Sequence, residues 1–196
     1  MKNFSPDLEL KTPRLTLRPV RLGDEKEIHE YAGDKSITMM FWLPNDTFEE
    51  TLDFVRKYSA EWESPEQKDF EFVILYEGKI IGGCDCDLSH SEDHSYATLG
   101  WILHKDYRGQ GFGSEAGRAL LDFAFSNLNI ERVLAQCDCK NANSHGENSN
   151  DDRTTERRNT RFAGRAHGRR HLRRASAGAS HQAAPARAVT HILINP

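Results

Sequence analysis

Apolar residues recur along this chain with two different periods, which predict a mixture of strands and helices. Runs rich in Val, Ile, Leu and Phe, bounded by glycine or polar turns, predict strands at 15–18, 70–76, 79–88, 96–104 and 130–137. Apolar residues at steps of three and four predict helices at 24–32, 47–62 and about 116–124. This order is typical of an α+β domain with a late strand–loop–helix–strand unit.

Two local motifs define the ends of predicted elements. Thr47 and Glu50 have the spacing of a capping box, in which each side chain accepts from a free backbone amide at a helix start. The helix that begins there carries an apolar stripe at Phe48, Leu52, Val55, Tyr58 and Trp62. Glu77 and Gly78 form a tight link, which predicts a hairpin between the strands on either side.

The composition changes abruptly near residue 144. Residues 1–144 hold all nine lysines and nine of the ten phenylalanines, with 16 Lys and Arg against 26 Asp and Glu. Residues 145–196 hold ten of the 17 arginines and no lysine, with 10 basic against 4 acidic side chains. We therefore expect one domain at 8–144, followed at 145–196 by an Arg- and Ala-rich tail that is disordered because it offers few apolar residues for a core.

Neither a leader peptide nor a membrane span is evident in the sequence. The first residues, MKNFSPDLEL, lack the apolar run of a signal peptide. No stretch approaches the ~20 apolar residues that a membrane helix needs. We expect a cytoplasmic protein that makes no membrane contact.

Four cysteines form two pairs, Cys84 with Cys86 and Cys137 with Cys139. Each pair lies in a strand-like run, where residues two apart share a face, so a zinc site would require the two pairs to face each other. Buried free thiols in a reducing compartment are the alternative that we favour. The His and acidic residues at 90–94 lie in a polar loop and are expected to be solvated, so we predict no metal site.

The segment most informative about chemistry is the loop between the predicted strand at 96–104 and the next helix. Gly109, Gly111 and Gly113 lie there, next to Arg108. Glycines allow positive φ and close approach of a ligand, and amides at a helix N-terminus bind anions. The loop lacks the Walker pattern and fits the dinucleotide fingerprint only in a looser form. A flexible turn is the alternative, but the glycines, the helix N-terminus and Arg108 together favour a phosphate-bearing cofactor as ligand.

The stretch from Arg108 to Gly113, Arg-Gly-Gln-Gly-Phe-Gly, resembles the acetyl-CoA signature [QR]-x-x-G-x-[GA] of the GNAT superfamily of N-acetyltransferases. The flanking Leu-Gly-Trp-Ile-Leu and Ser-Glu-Ala, and the opening Leu-Lys-Thr-Pro-Arg-Leu-Thr-Leu-Arg-Pro at 10–19, resemble the branch of ribosomal-protein-alanine N-acetyltransferases. The resemblance covers about 8–144. It implies the GNAT acyl-CoA N-acyltransferase fold, a mixed and mostly antiparallel sheet flanked by helices, here incomplete at the C-terminus.

The resemblance also implies a role for individual residues. The backbone of Trp101, Ile102 and Leu103 would pair with the pantetheine arm of acetyl-CoA and polarise the thioester carbonyl. The side chain of Trp101 has packing in the core as its alternative role. The diphosphate would be held by the loop residues Arg108, Gly109, Gln110, Gly111, Phe112, Gly113 and Ser114.

An Asn-Ala-Asn-Ser motif after the last predicted strand resembles the N-x-x-S of the same branch. This implies that Asn141 contacts the cofactor and that Ser144 is the catalytic residue that protonates the departing thiolate; a polar turn without function is the alternative.

The residues leave the proton acceptor and the amine acceptor open. Glu71, Asp85, Asp87 and His104 are all candidates for the general base. A small amine, a protein N-terminus or an antibiotic fits as acceptor, and the acidic body favours a cationic amine. The second hypothesis is a protein without catalytic activity that binds CoA, or binds nucleic acid through its basic tail.

After Ser144 the sequence departs from the family pattern, which continues into a helix of the type V-M-E-K-[LI]-G-[FM] and two further strands. When the codons for 144–151 are read one base later, they permit Val-Met-Glu-Lys-Ile-Ala-Met, which is close to that missing helix. The sequence therefore suggests that 145–196 is an out-of-frame reading of an acetyltransferase gene, and it predicts an open sheet edge after the strand at 130–137. A genuine basic tail that binds nucleic acid is the rival, although Phe162 is its only aromatic residue for stacking on bases.

Overall fold

The computed structural model describes residues 4–35, 45–88, 96–128, 130–138 and 189–194. Its strands are β1 Leu10–Lys11, β2 Leu15–Pro19, β3 Asp69–Tyr76, β4 Lys79–Asp87, β5 Tyr96–Leu103, β6 Arg132–Asp138 and β7 Val189–Ile194. Its helices are α1 Glu25–Ala32, α2 Phe48–Glu61 and α3 Phe112–Asn127, with a short 3-10 helix at Lys105–Tyr107. Every strand and helix predicted from the periodicity is present, with ends that differ by a few residues.

The strands form one sheet in the order of the sequence, from β1 to β7. All neighbouring pairs are antiparallel except β5 and β6, which are parallel because α3 forms the crossover between them. The hairpin between β3 and β4 turns at Glu77 and Gly78, whose φ angles of 49° and 82° match the type I′ turn that suits strand twist. The predicted mixed, mostly antiparallel sheet and its hairpin are confirmed.

Helix α2 begins as predicted, and Val55, Tyr58 and Trp62 of its predicted apolar stripe are buried. The Thr47 hydroxyl accepts from the amide of Glu50 (3.3 Å), while the Glu50 carboxylate reaches past the expected Thr47 amide to that of Asp46 (2.7 Å). The predicted stripe was wrong for Phe48, which is 44% exposed. Its ring lies edge-on against His29 of α1 at the start of the helix, so it sits beside the core rather than in it. The side chains that α2 buries are Thr51, Phe54, Val55 and Tyr58.

Helices cover both faces of the sheet. On one face, α3 packs closely: a Cβ at Gly113 would lie 3.4 Å from the indole nitrogen of Trp101, and Phe123 meets the rings of Phe70 and Phe72 edge-on. On the other face, the Tyr31 hydroxyl of α1 would lie 2.7 Å from a Cβ at Gly83. Within the ranges described, no helix combines the length and the apolar character needed to cross a membrane.

The edge of β6 is paired rather than open. Strand β7 runs antiparallel to β6, from Val133 opposite Ile194 to Asp138 opposite Val189. The predicted open edge and the absence of structure in the tail are therefore wrong for 189–194, where β-branched residues favour an extended backbone. Residues 145–188 lie outside the described ranges, so the prediction of disorder there stays a prediction.

Candidate functional site

Strands β5 and β6 separate halfway along the sheet. Their parallel pairing runs from Tyr96 opposite Arg132 to Leu99 opposite Ala135. Beyond that point β5 remains paired with β4 as far as Leu103, while β6 remains paired with β7 as far as Asp138. In these described strands the two neighbours thus diverge, and a cleft opens between residues 100–103 and 136–138.

The backbone of β5 directs hydrogen-bonding groups into this cleft. The amide of His104 donates to the carbonyl of Ile81 (2.8 Å), so the backbone amides and carbonyls of every second residue before it, Ile102 and Gly100, face β4. Because successive residues of a strand bond to opposite sides, the amides and carbonyls of Trp101 and Leu103 face the cleft. Polar backbone groups in the middle of a sheet require partners, and an extended ligand arm can supply them.

The loop after β5 turns back over the end of the cleft and leads into α3. Gly109 and Gly111 have φ angles of 74° and 79°, a conformation that favours glycine. Gly111 is also the N-cap of α3, and the amide of Glu115 donates to its carbonyl (3.0 Å). Helix geometry leaves the amides of 112–114 without intrahelical acceptors, so they form a site for an anion at the positive end of the helix dipole.

The side chains of the loop divide into exposed and buried groups. Arg108, Gln110 and Ser114 are exposed, whereas Phe112 is buried against Tyr76 with 4.7 Å between ring centroids. Only the backbone of Phe112 can therefore meet a ligand. Trp101 packs its indole on α3, so its side chain fills space while its backbone faces the cleft.

Arg108 is tied to the cleft by its own hydrogen bond. Its Nε donates to the carbonyl of Leu103 (3.0 Å), which engages one of the backbone groups expected to meet the pantetheine arm. The guanidinium is thereby held at the junction of strand and loop. An anion bound by the loop would lie near a fixed positive charge.

A group that the sequence did not single out lies behind the loop. Arg14, in the link between β1 and β2, donates through Nε to Glu115 Oε2 (2.7 Å) and through a terminal nitrogen to the carbonyl of Gln110 (3.0 Å). Thr12 Oγ1 and the amide of Arg14 donate to the other Glu115 oxygen (2.6 and 2.9 Å). In the sequence, only Glu115 could be associated with the loop, because it lies in the first turn of the helix that follows. Arg14 is about a hundred residues away from both of its partners in the sequence.

These contacts determine the charge state of Glu115. Burial would raise the pKa of this carboxyl, but the hydrogen bonds from Thr12 and Arg14 outweigh it, and the pKa lies below its ordinary value. Glu115 is therefore an anion at neutral pH, paired with the cation of Arg14.

A row of acidic side chains crosses the face of the sheet that α1 covers. Glu71 lies directly opposite Asp85, and Asp85 lies directly opposite Gly100 on β5. A Cβ at Gly100 would lie 2.5 Å from Asp85 Oδ1, so the carboxylate extends over β5 where the cleft begins. Asp87 is two residues further along β4 on the same face and is buried. Of the three acidic candidate bases, Asp85 is thus the one that lies opposite a residue of the cleft.

Two further titratable groups border this row. Burial, and then the charge of Glu71, raise the pKa of Tyr31 well above its ordinary value, so its hydroxyl remains a donor. His104 Nδ1 accepts from the amide of Asp106 (3.3 Å) and caps the 3-10 helix, which occupies the nitrogen that a base would use.

Cys84 and Cys86 of β4 are free thiols that are buried on the sheet face covered by α3. Burial raises the pKa of both well above the ordinary value. Across the described ranges no group of three or more His, Cys, Asp or Glu side chains is arranged to hold a metal ion. Residues 90–94 and Cys139, which carry the other potential ligands, lie outside those ranges, as do Asn141 and Ser144.

Known proteins resemble this chain in fold and, more distantly, in sequence. A sequence profile described as Acetyltransferase (GNAT) domain matches residues 14–146. The chain is 26% identical over 140 residues to the uncharacterized N-acetyltransferase YnaD of Bacillus subtilis (strain 168), a match that covers 70% of this chain and 78% of the relative.

Solved structures extend the comparison. The crystal structure of a GNAT-family acetyltransferase from Bacillus anthracis matches with a TM-score of 0.58 and 25% identity, covering 68% of this chain and 76% of that one. The spermidine N-acetyltransferase from Vibrio cholerae, solved in complex with CoA and spermine, matches with a TM-score of 0.58 and 23% identity, covering 68% and 77% of the two chains. At that identity the second match bears on the fold alone.

Proposed function

Because the chain belongs to the GNAT acetyltransferase family, a family of acetyl-CoA-dependent N-acetyltransferases, we propose that it transfers the acetyl group of acetyl-CoA to a primary amine where β5 and β6 diverge. The observation that carries the proposal is the position of this cleft directly beside the glycine loop. A diphosphate and an extended amide-bearing arm are joined in one molecule of CoA. The cleft and the loop offer a matching pair of sites, with strand amides for the arm and helix-terminal amides for the diphosphate.

The charge and the backbone conformation of the loop support its assignment as a diphosphate site. Nothing lies within 4 Å of the position that a Cβ would take at Gly109. Glycine is therefore favoured there by the backbone conformation and not by a lack of space for a side chain. The positive φ angles at Gly109 and Gly111 turn successive peptide units, and the exposed Arg108 adds charge. We assign the diphosphate to Arg108, Gly109, Gln110, Gly111, Phe112, Gly113 and Ser114, with the backbone rather than the side chain acting at Phe112.

The pantetheine arm is assigned to the cleft edge of β5. Trp101 and Leu103 offer backbone groups on the correct side, whereas those of Ile102 face β4, so Ile102 contributes its buried side chain to the wall. The Leu103 carbonyl already accepts from Arg108, so we expect the arm to bond mainly to Trp101. Asn141 is proposed to contact the cofactor as well.

When bound, acetyl-CoA supplies an acetyl group activated as a thioester. The amine nitrogen forms a bond to the carbonyl carbon, the carbon–sulfur bond breaks, and the amine gives up a proton. We assign that proton to Asp85, directly or through one water, because its carboxylate lies over Gly100 at the mouth of the cleft. The amide of Trp101 would donate to the carbonyl oxygen of the bound thioester, and Ser144 is proposed to protonate the leaving thiolate.

The acceptor is proposed to be an amine that carries further positive charge. Glu71 and Asp87 are buried carboxylates on the same face as Asp85, and their field favours a cation. The spermidine N(1)-acetyltransferase of Escherichia coli (strain K12), which is 25% identical to this chain over 128 residues, is named for a polyamine acceptor. The resemblance noted in the sequence points to a protein N-terminus. Both acceptor types present a primary amine.

An acceptor screen tests the proposal. The full chain is incubated with acetyl-CoA and spermidine, spermine or a peptide with a free N-terminal Ala, and products are identified by mass spectrometry. We expect a mass gain of one acetyl group on at least one amine, with an equal amount of CoA released. Binding of CoA without acetylation of any amine would instead support the hypothesis of a CoA-binding protein without catalytic activity.

We also propose that residues 145–196 derive from an out-of-frame reading. The profile match ends at residue 146, next to the point where composition and charge change. The pairing of β7 with β6 does not oppose this, because strand pairing uses backbone groups that any sequence carries. Resequencing the locus tests it: an intact frame, with no bases missing or added near codon 144, would contradict it.

A further inference from the structure

We propose that Arg14 is a positioning residue that holds the glycine loop in the shape that binds the CoA diphosphate. This inference rests on the proposed function. Arg14 lies in the link between β1 and β2, behind the loop, and it connects two parts of the chain that are about a hundred residues apart.

The contacts of Arg14 differ from those of an ordinary surface ion pair. Its Nε and one terminal nitrogen both reach Glu115 Oε2 (2.7 and 2.6 Å), and the other terminal nitrogen donates to the Gln110 carbonyl. Its guanidinium lies 4.4 Å from the centre of the Phe112 ring. The Glu115 side chain is only 15% exposed. Isolated exposed pairs contribute little, but a multiply bonded, stacked guanidinium is held in one geometry.

The bond to Gln110 determines which way the next peptide unit points. A trans peptide directs its carbonyl and its amide to opposite sides. With the Gln110 carbonyl held towards Arg14, the amide of Gly111 points away from it, to the outer side of the loop. The terminal nitrogen of Arg14 that bonds to Glu115 also lies close to Gly111, 3.4 Å from the position that a Cβ would take there.

Arg14 also removes an electrostatic conflict. The anionic Glu115 lies in the first turn of α3, close to where the diphosphate would bind. The Glu115 carboxylate and a bound diphosphate, both anions, would repel each other unless a cation lies between or beside them. Because each nitrogen of Arg14 already donates to a protein acceptor, we infer that Arg14 acts on the cofactor through the loop and through Glu115.

The test compares Arg14, which precedes β2, with Arg18, which lies within β2. Arg18 also forms a two-fold bond with a carboxylate, that of Asp24 (2.8 and 2.8 Å), but it does not contact the loop. We expect Arg14→Ala to weaken calorimetric CoA binding about 10- to 100-fold, since charge-assisted bonds are lost, and Arg18→Lys to leave it unchanged. Arg14→Lys keeps the charge without the fork and should fall between wild type and Arg14→Ala.

Two further measurements separate positioning from other roles. In Arg14→Ala/Glu115→Gln the repelling charge is absent, so we expect binding at least about threefold tighter than in Arg14→Ala alone. With S-acetylpantetheine, which lacks the diphosphate, wild type and Arg14→Ala should show equal kcat/KM. An equal loss with acetyl-CoA and S-acetylpantetheine, or CoA binding by Arg14→Ala as tight as that of wild type, would overturn the inference.

The outcomes also distinguish this inference from the proposed function. If the wild-type chain takes up no CoA, the proposed function fails and this inference fails with it. If the wild type binds CoA and Arg14→Ala behaves like Arg18→Lys, only the role of Arg14 is refuted. Thermal melting of each variant shows whether weakened binding reflects a chain that no longer folds.

Discussion

Replacing Gly109 by Ala tests whether the backbone of the glycine loop binds the cofactor. Gly109 has φ of 74° and open space at its Cβ position, so the substitution adds conformational strain without a collision. A residue with a Cβ is disfavoured in this left-handed region by roughly 1–2 kcal/mol. In the free protein the loop is expected to relax to a negative φ, which rotates the adjoining amides.

Binding must then restore the original conformation. At 1.4 kcal/mol per tenfold change, a strain of about 1–2 kcal/mol corresponds to a Kd for CoA that is roughly 5- to 30-fold higher. Gly23 supplies the matched control, because it also has positive φ (103°) and open space, but it lies in the turn between β2 and α1. Gly23→Ala should lower the free energy of unfolding and leave the Kd unchanged.

Isothermal titration calorimetry with CoA measures both variants, and thermal melting confirms that each is folded. Unchanged affinity in Gly109→Ala would refute the assignment of these amides to the diphosphate. A similar loss of affinity in both variants would show that general destabilisation, not the loop, is responsible.

Two other predictions concern the acidic row and the buried thiols. Asp85→Asn should lower kcat by about 10²- to 10⁴-fold with little change in CoA affinity, as expected when a general base is lost. The control is Asp122→Asn, at an exposed position of α3, which should leave kcat unchanged. An equal kcat in the two variants would rule out Asp85 as the base. Cys84 and Cys86 should resist alkylation in the folded chain at pH 8, measured on their own peptide by mass spectrometry, because burial raises their pKa. The pKa of these thiols is higher in the folded than in the unfolded chain, where it is about 8.5. As the pH rises above that value, only the unfolded chain loses the thiol protons, so the free energy of unfolding should decrease. Rapid alkylation without unfolding would contradict this.

The sequence predicted most of the fold because local patterns and tertiary packing agree. The apolar runs of β3 and β4, the turn at Glu77 and Gly78 and the capping residue Thr47 each determine structure within a few residues. The stripe of α2 was predicted less well. A helical period identifies a face only approximately, and the contact of Phe48 with His29 depends on how α1 and α2 meet in space.

The candidate site shows a similar division. The loop at 108–114 could be recognised because glycine spacing and a following helix are local features. The role of Arg14 could not be, because its partners Gln110 and Glu115 become neighbours only when β2 and α3 pack together. The four candidate bases were indistinguishable by residue type. The register of β4 against β5, which places Asp85 opposite Gly100, is what separates them.

Hydrogen exchange with and without CoA, followed by mass spectrometry, tests the central claim most directly because it locates the bound cofactor on the chain. We predict slower exchange of the amides at 109–114 and at Trp101 when CoA is present, with no change in α1. Exchange at 109–114 that is unaffected by saturating CoA would contradict the account, even if the cofactor bound elsewhere on the protein.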